Sequence, residues 1–216
     1  MPLPAPLLTP DRCCALLVDP QPGLAFAVQS ADRQLLMNAL LAFVKTTRAF
    51  GVPLVVSTSA TKVYSGPMFT TLRQAFPDIE PLDRRSMNAW GDEATRGAVQ
   101  ASGRRVLLIA GLLTEACVSF PALDAVREGY EVYCVADACG GATADSHRLA
   151  LERLRANGVQ MTSWLQLLLE LQRDWTRRDT YDAARAIVEG HAGGYGMGLA
   201  YARDMIKPPV PAAPVA

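Results

Sequence analysis

Nowhere does this chain carry the run of about 20 apolar residues that a membrane span needs. Its first residues, Met1-Pro2-Leu3-Pro4-Ala5-Pro6, hold no basic segment followed by a long apolar one. Both absences argue against membrane insertion and export, and the expected location is the cytoplasm. Net charge is missing too, with 21 basic residues against 21 acidic. No overall field therefore gathers nucleic acid or an anionic membrane, and a small molecule is the expected partner. The five cysteines are odd in number and show no Cys-x-x-Cys spacing, which argues against a disulfide framework and against a zinc site. Histidine is scarcer still: His147 and His191 are the only two. They are far apart and without ligand spacing, so neither a metal nor any other cofactor is expected.

What the chain does have is material for a core, since half of its 216 residues are hydrophobic. Five short apolar runs alternate with amphipathic stretches: Cys13 to Val18, Pro53 to Thr58, Arg105 to Ala110, Glu131 to Ala136 and Val159 to Thr162. This alternation predicts an α/β fold with a central, mostly parallel sheet between helical layers. Ser30 to Phe50 reads as a helix, with Ser30 as its N-cap, Leu36, Ala39, Leu40, Phe43 and Val44 facing inward, and Gly51 as its stop. Asp145 to Asn157 repeats the pattern with Leu149, Leu151 and Leu154 inside. Leu165 to Leu171 and Asp179 to Glu189 read as added terminal helices, followed by a glycine-rich loop from Gly193 to Gly198. A single domain over 1–207 is expected, with 208–216 as a disordered tail rich in proline and alanine.

In open parallel sheets ligands bind beyond the carboxyl ends of the strands, so the polar residues that close each apolar run are the candidates for chemistry. These are Asp19, Ser57 to Ser59, Cys117 just past the third run, and Asp137 with Cys139. A cysteine where a strand passes into a helix can sit at a helix N-terminus, where unpaired N–H groups favour a thiolate and hold an oxyanion. Taken singly, Asp19 reads equally as a cap for Pro20-Gln21-Pro22, and Cys117 as an inert core thiol. Pro121 cannot donate the helical bond to the Cys117 carbonyl, so either the first turns are distorted at the cysteine or Pro121 lies in the first turn and distorts nothing.

Several segments together resemble the isochorismatase-like (cysteine hydrolase) superfamily, and within it the YcaC-like hydrolases. They are Leu17-Val18-Asp19-Pro20-Gln21, Arg84-Arg85-Ser86-Met87-Asn88-Ala89-Trp90, Gly111-Leu112-Leu113-Thr114-Glu115-Ala116-Cys117-Val118, Phe120-Pro121-Ala122-Leu123 and Gly129-Tyr130-Glu131-Val132. The resemblance implies a Rossmann-like three-layer αβα sandwich and an Asp, Lys, Cys triad, in which Asp19 and Cys117 match the acid and the nucleophile. Arg84 stands where the family has lysine, and Lys62, in the loop after the second run, is the alternative cation. The resemblance further implies a cis peptide between Leu112 and Leu113, and an oxyanion hole made by the N–H groups of Leu113 and Cys117.

By their neighbours in sequence, Phe26, Tyr64, Trp90 and Thr114 are candidate pocket walls, and Asn88 either offers its amide to a substrate or caps the helix near Trp90. The activity implied is metal-independent hydrolysis of a C–N bond in a small amide or ureido compound through a covalent Cys117 intermediate. An arginine can stabilise charge there but cannot move protons. The alternatives are vinyl ether hydrolysis, which needs no cysteine nucleophile, and an impaired member acting as a scaffold or redox-sensitive thiol protein. The resemblance also suggests a homo-oligomer.

Overall fold

The computed structural model describes residues 6–206. Six strands form one sheet: β1 (Cys13–Val18), β2 (Leu54–Ser59), β3 (Leu82–Arg84), β4 (Val106–Leu112), β5 (Glu131–Gly140) and β6 (Gln160–Thr162). Their order is β3-β2-β1-β4-β5-β6 and every pairing is parallel. β1 and β4 are buried along their whole length, as expected of central strands covered on both faces. On one side lie α2 (Arg33–Ala49), α3 (Thr70–Ala75), α7 (Trp164–Gln172) and α8 (Arg178–His191), packed on one another around α2; on the other lie α4 (Glu93–Ala101), α5 (Ser119–Arg127) and α6 (Ala144–Ala156). Chain order reverses between β1 and β4, so the crevice of this doubly wound sheet opens between the ends of those two strands.

All five apolar runs become strands, and β3 is a sixth that they do not announce. It has three residues at the sheet edge, two of them charged, so no apolar run marks it. It pairs Arg84 with Ser59 and so carries the arginine to the crevice. Helix α2 begins later than Ser30: Asp32 is the N-cap, its Oδ1 accepting from Gln34 N at 2.9 Å and Leu35 N at 3.0 Å. Ser30 instead accepts the Gly141 N–H, tying α2 to the end of β5. In α6 Leu154 is buried as expected, but Leu149 is 55% exposed on the outer face. The glycine-rich segment is not a loop: Gly194–Tyr201 forms α9, and Gly196 lies so close to α8 that a Cβ would stand 2.5 Å from the Val188 carbonyl oxygen. The expected tail, 208–216, lies outside the described residues.

Candidate active site

Asp19 ends β1 with φ at 50°, a left-handed conformation that aspartate tolerates better than most residues. Its N–H donates to the Ser57 carbonyl of β2 at 2.8 Å, and its side chain is fully buried. Arg84 Nη1 donates to Asp19 Oδ1 at 2.5 Å and Nη2 to Oδ2 at 2.8 Å, a bidentate pair removed from solvent. The remaining Nη hydrogens reach Ser57 Oγ at 3.2 Å and the Met87 carbonyl at 3.1 Å. The guanidinium is therefore fixed by three separate segments, and among the described side chains Arg84 is the cation that meets Asp19. Lys62 lies apart from it, on a cavity of about 390 Å³ shared with Thr58, Thr61 and Asp83.

Strand β4 supplies the thiol. Gly111 has φ of 136°, and a Cβ there would stand 1.9 Å from the Val18 carbonyl oxygen, so only glycine lets the two central strands approach. The Leu112–Leu113 peptide is cis. Thr114–Val118 then makes a π-helical turn, with Val118 N donating to the Leu113 carbonyl, before α5 starts at Ser119 with Pro121 as its third residue. The helix is thus distorted at the cysteine, with Pro121 in the first turn of the regular α-helix. Cys117, in that turn, is 8% exposed. Asp19 and the Leu113 N–H both lie near enough to act on the thiol's electrostatics.

Burial works against the thiolate that a helix start favours. Burial, then the Asp19 charge and its hydrogen bond, push the Cys117 thiol up to about 12, against opposing pulls from Arg84 and the Leu113 N–H. The resting group is a thiol beside a carboxylate. For Arg84, burial works against the charge but is outweighed by Asp19, and the net shift is upward.

Other residues read as pocket walls have different duties. Trp90 is 2% exposed and packs edge to face on Tyr130, with ring centroids 5.2 Å apart, so it is core. Asn88 is a cap: Oδ1 accepts from Trp90 N at 3.0 Å and Nδ2 donates to Asp124 at 2.7 Å, so its amide ties the turn at Trp90 to α5. Phe26 and Tyr64 are 72% and 65% exposed, standing in solvent instead of enclosing a pocket. Thr114 does follow the cis peptide, but its buried hydroxyl is bonded to His147 Nδ1 at 2.8 Å. His147 thus braces the turn that carries Cys117, and nothing in its sequence spacing signals this. Gln21 is a second residue sequence reasoning passed over. Fully buried, its Nε2 donates to the Ser59 and Gly66 carbonyls at 3.1 and 2.6 Å while Oε1 accepts from Ser59 N at 2.9 Å, anchoring the loop after β2. Among the described residues no three His, Cys, Asp or Glu side chains converge as a metal site.

A carboxylate after β1, a cation from an edge strand and a cysteine after β4 meet at the reversal of strand order. The Isochorismatase domain profile matches residues 13–166. The chain belongs to the isochorismatase family. Within the family it is similar to the YcaC proteins. It is 34% identical over 189 residues to the probable hydrolase YcaC of Escherichia coli, covering 87% of this chain and 90% of that protein. The E. coli YcaC structure, described as an octameric hydrolase of unknown specificity, superposes with a TM-score of 0.87 at 33% identity, over 93% of this chain and 98% of the other. YcaC of Pseudomonas aeruginosa, solved with hexane-2,5-diol and covalent acrylamide, also gives 0.87, at 32% identity over 92% of this chain and 98% of the other. The chain is thus a hydrolase of the isochorismatase family, with that family's parallel αβα sandwich.

Proposed function

We propose that this chain cleaves a C–N bond in a small amide or ureido compound through a covalent intermediate on Cys117, without a metal. The observation that carries this reading is the meeting of Asp19, Arg84 and Cys117 beside the Leu113 N–H. Because the thiol is protonated at rest, deprotonation accompanies attack: Asp19 takes the proton as sulfur bonds to the carbonyl carbon. The N–H groups of Leu113 and Cys117 hold the oxyanion, and the protonated Asp19 returns its proton to the departing nitrogen. Water then attacks the thioester, giving its proton to Asp19; the C–S bond breaks, the acid leaves, and Asp19 passes that proton to the departing sulfur, restoring the Cys117 thiol. Arg84 holds Asp19 and balances charge; it transfers no proton. The covalent acrylamide on the P. aeruginosa relative supports a nucleophile in this fold.

Incubation with a panel of small amides and ureido compounds, read by ammonia or amine release and by intact mass, tests this. The expected result is turnover with an acyl adduct on the Cys117 peptide, both lost in Cys117→Ala. Undiminished turnover in Cys117→Ala sinks the mechanism. A scaffold reading draws on one observation, the occupation of both Asp19 oxygens by Arg84, and it is what remains if no substrate in the panel turns over.

We further propose a homo-oligomer, as the E. coli relative is described to be. The exposed Met197, Tyr201, Met205 and Ile206 at the C-terminal end supply an apolar surface for it. Light scattering is expected to give a mass several times that of one chain, and a monomer overturns the assembly.

A further inference from the structure

Beside the C-terminal half of β5 and just past β6 lies a cavity of about 550 Å³ that Asp19, Arg84 and Cys117 do not line. Its size is that of a small-molecule site, for which roughly 300–1,000 Å³ is usual. Leu35 and Leu36 of α2 and Trp164 and Leu165 of α7 give it apolar walls, and the C-terminal end of α8 closes another side. Among the described residues Asp137 is its one acidic lining residue, and no lysine or arginine lines it.

Asp137 stands on the irregular stretch of β5 where the register against β4 slips between Cys134 and Cys139. One oxygen accepts the Trp164 N–H at 2.9 Å. Asp137 is an exposed residue, reached from solvent through the cavity, and desolvation by the surrounding protein pushes its pKa up, opposed by backbone N–H groups. Lys45, the cation nearest in this network, is spent on His191 Nε2 at 2.9 Å, while His191 Nδ1 meets Asn38 Oδ1 at 2.8 Å. The two histidines at the cavity, His147 and His191, are both held down by burial, so they carry no charge at neutral pH. The facing α8 terminus presents the negative end of its dipole. Asp137 is therefore the charged side chain that lines the cavity; the N-terminal ends of α2, α7 and α9 also border it, that of α2 capped by Asp32 and that of α7 bonded to Asp137.

We infer that this cavity is a second ligand site, and that it takes a small organic ammonium ion whose apolar body lies on Leu35 and Trp164 while its charged end meets Asp137. Such a ligand supplies the countercharge that the carboxylate lacks and covers apolar wall that otherwise faces water.

The test is calorimetric or NMR titration of the full chain, in its native assembly state at neutral pH, with 2-phenylethylammonium and with the neutral 2-phenylethanol. Saturable binding of the ammonium is expected, at least tenfold tighter than that of the alcohol and unchanged after Cys117 has been alkylated. Asp137→Asn keeps an acceptor for Trp164 N but removes the charge, and it is expected to weaken binding by tenfold or more. Leu35→Arg, at an exposed rim position, places a cation over the mouth and provides an independent loss of binding in a variant that folds. The inference is overturned if the alcohol binds as well as the ammonium, if no saturation is reached, or if alkylating Cys117 abolishes binding. It is overturned equally if Leu35→Arg changes the mass by light scattering, because the face is then covered by a second copy.

Discussion

Arg84 grips both oxygens of Asp19, and a single-pronged cation in its place leaves one oxygen free to take the Cys117 proton. Arg84→Lys keeps the charge and is therefore expected to raise the alkylation rate of Cys117 at neutral pH by about tenfold, equivalent to ~1.4 kcal/mol. Asp19→Asn is a poorer probe, because it leaves a buried arginine without its countercharge and costs about 3–5 kcal/mol of stability. In the wild type, the thiol raised to about 12 means that iodoacetamide labelling of Cys117 climbs steadily across about pH 7 to 9, with no plateau near the ordinary thiol value of about 8.5. A plateau there removes the argument for coupled deprotonation. At Gly111 the reasoning is steric: Gly111→Ala forces a Cβ onto the Val18 carbonyl and demands a φ that alanine avoids. Loss of more than ~4 kcal/mol is expected, seen as failure to fold or a collapse in Tm.

Among the elements, the π turn between β4 and α5 and the loop after β2 are held from outside themselves. His147, on α6, ties down Thr114, while Gln21, following β1, ties down the backbone of Ser59 and Gly66. Gln21→Ala leaves buried backbone groups unpaired at about 1–3 kcal/mol each. Faster hydrogen exchange confined to residues 59–66 is the expected signature; uniform loosening of the whole sheet contradicts an anchoring role. At the start of α2, Asp32→Ala removes the acceptor of two N–H groups and is expected to cost about 1 kcal/mol in chemical denaturation, whereas Ser30→Ala leaves that cap untouched.

For the molecule as a whole, buried thiols set an alkaline limit. Cys13 and Cys117 are both raised to about 12, chiefly by burial, so the folded chain holds protons that the unfolded chain releases. Their contribution is complete below the unfolded thiol value of about 8.5 and is lost as pH rises toward the folded values. Denaturation midpoints are expected to fall as pH rises above about 9, and Cys13→Ser is expected to flatten that fall. The exposed apolar residues of the C-terminal segment belong to this scale as well, since no element among the described residues covers them.

The parallel sheet, its covering helices, and Asp19 and Cys117 as polar residues closing apolar runs were all legible in the sequence, because hydrophobic periodicity is a local property and the site lies where strand order reverses. The resemblance placed Arg84 in the triad, but only the tertiary structure brings it to Asp19, through a three-residue edge strand too short and too charged to show a pattern. The diversion of Ser30 to Gly141, the helix built from the glycine-rich segment against α8, and the packing of Trp90 on Tyr130 and of Asn88 on Asp124 likewise depended on contacts with distant residues. So did the protonation of Cys117: a helix start favours a thiolate, and only the fold sets a buried carboxylate beside it.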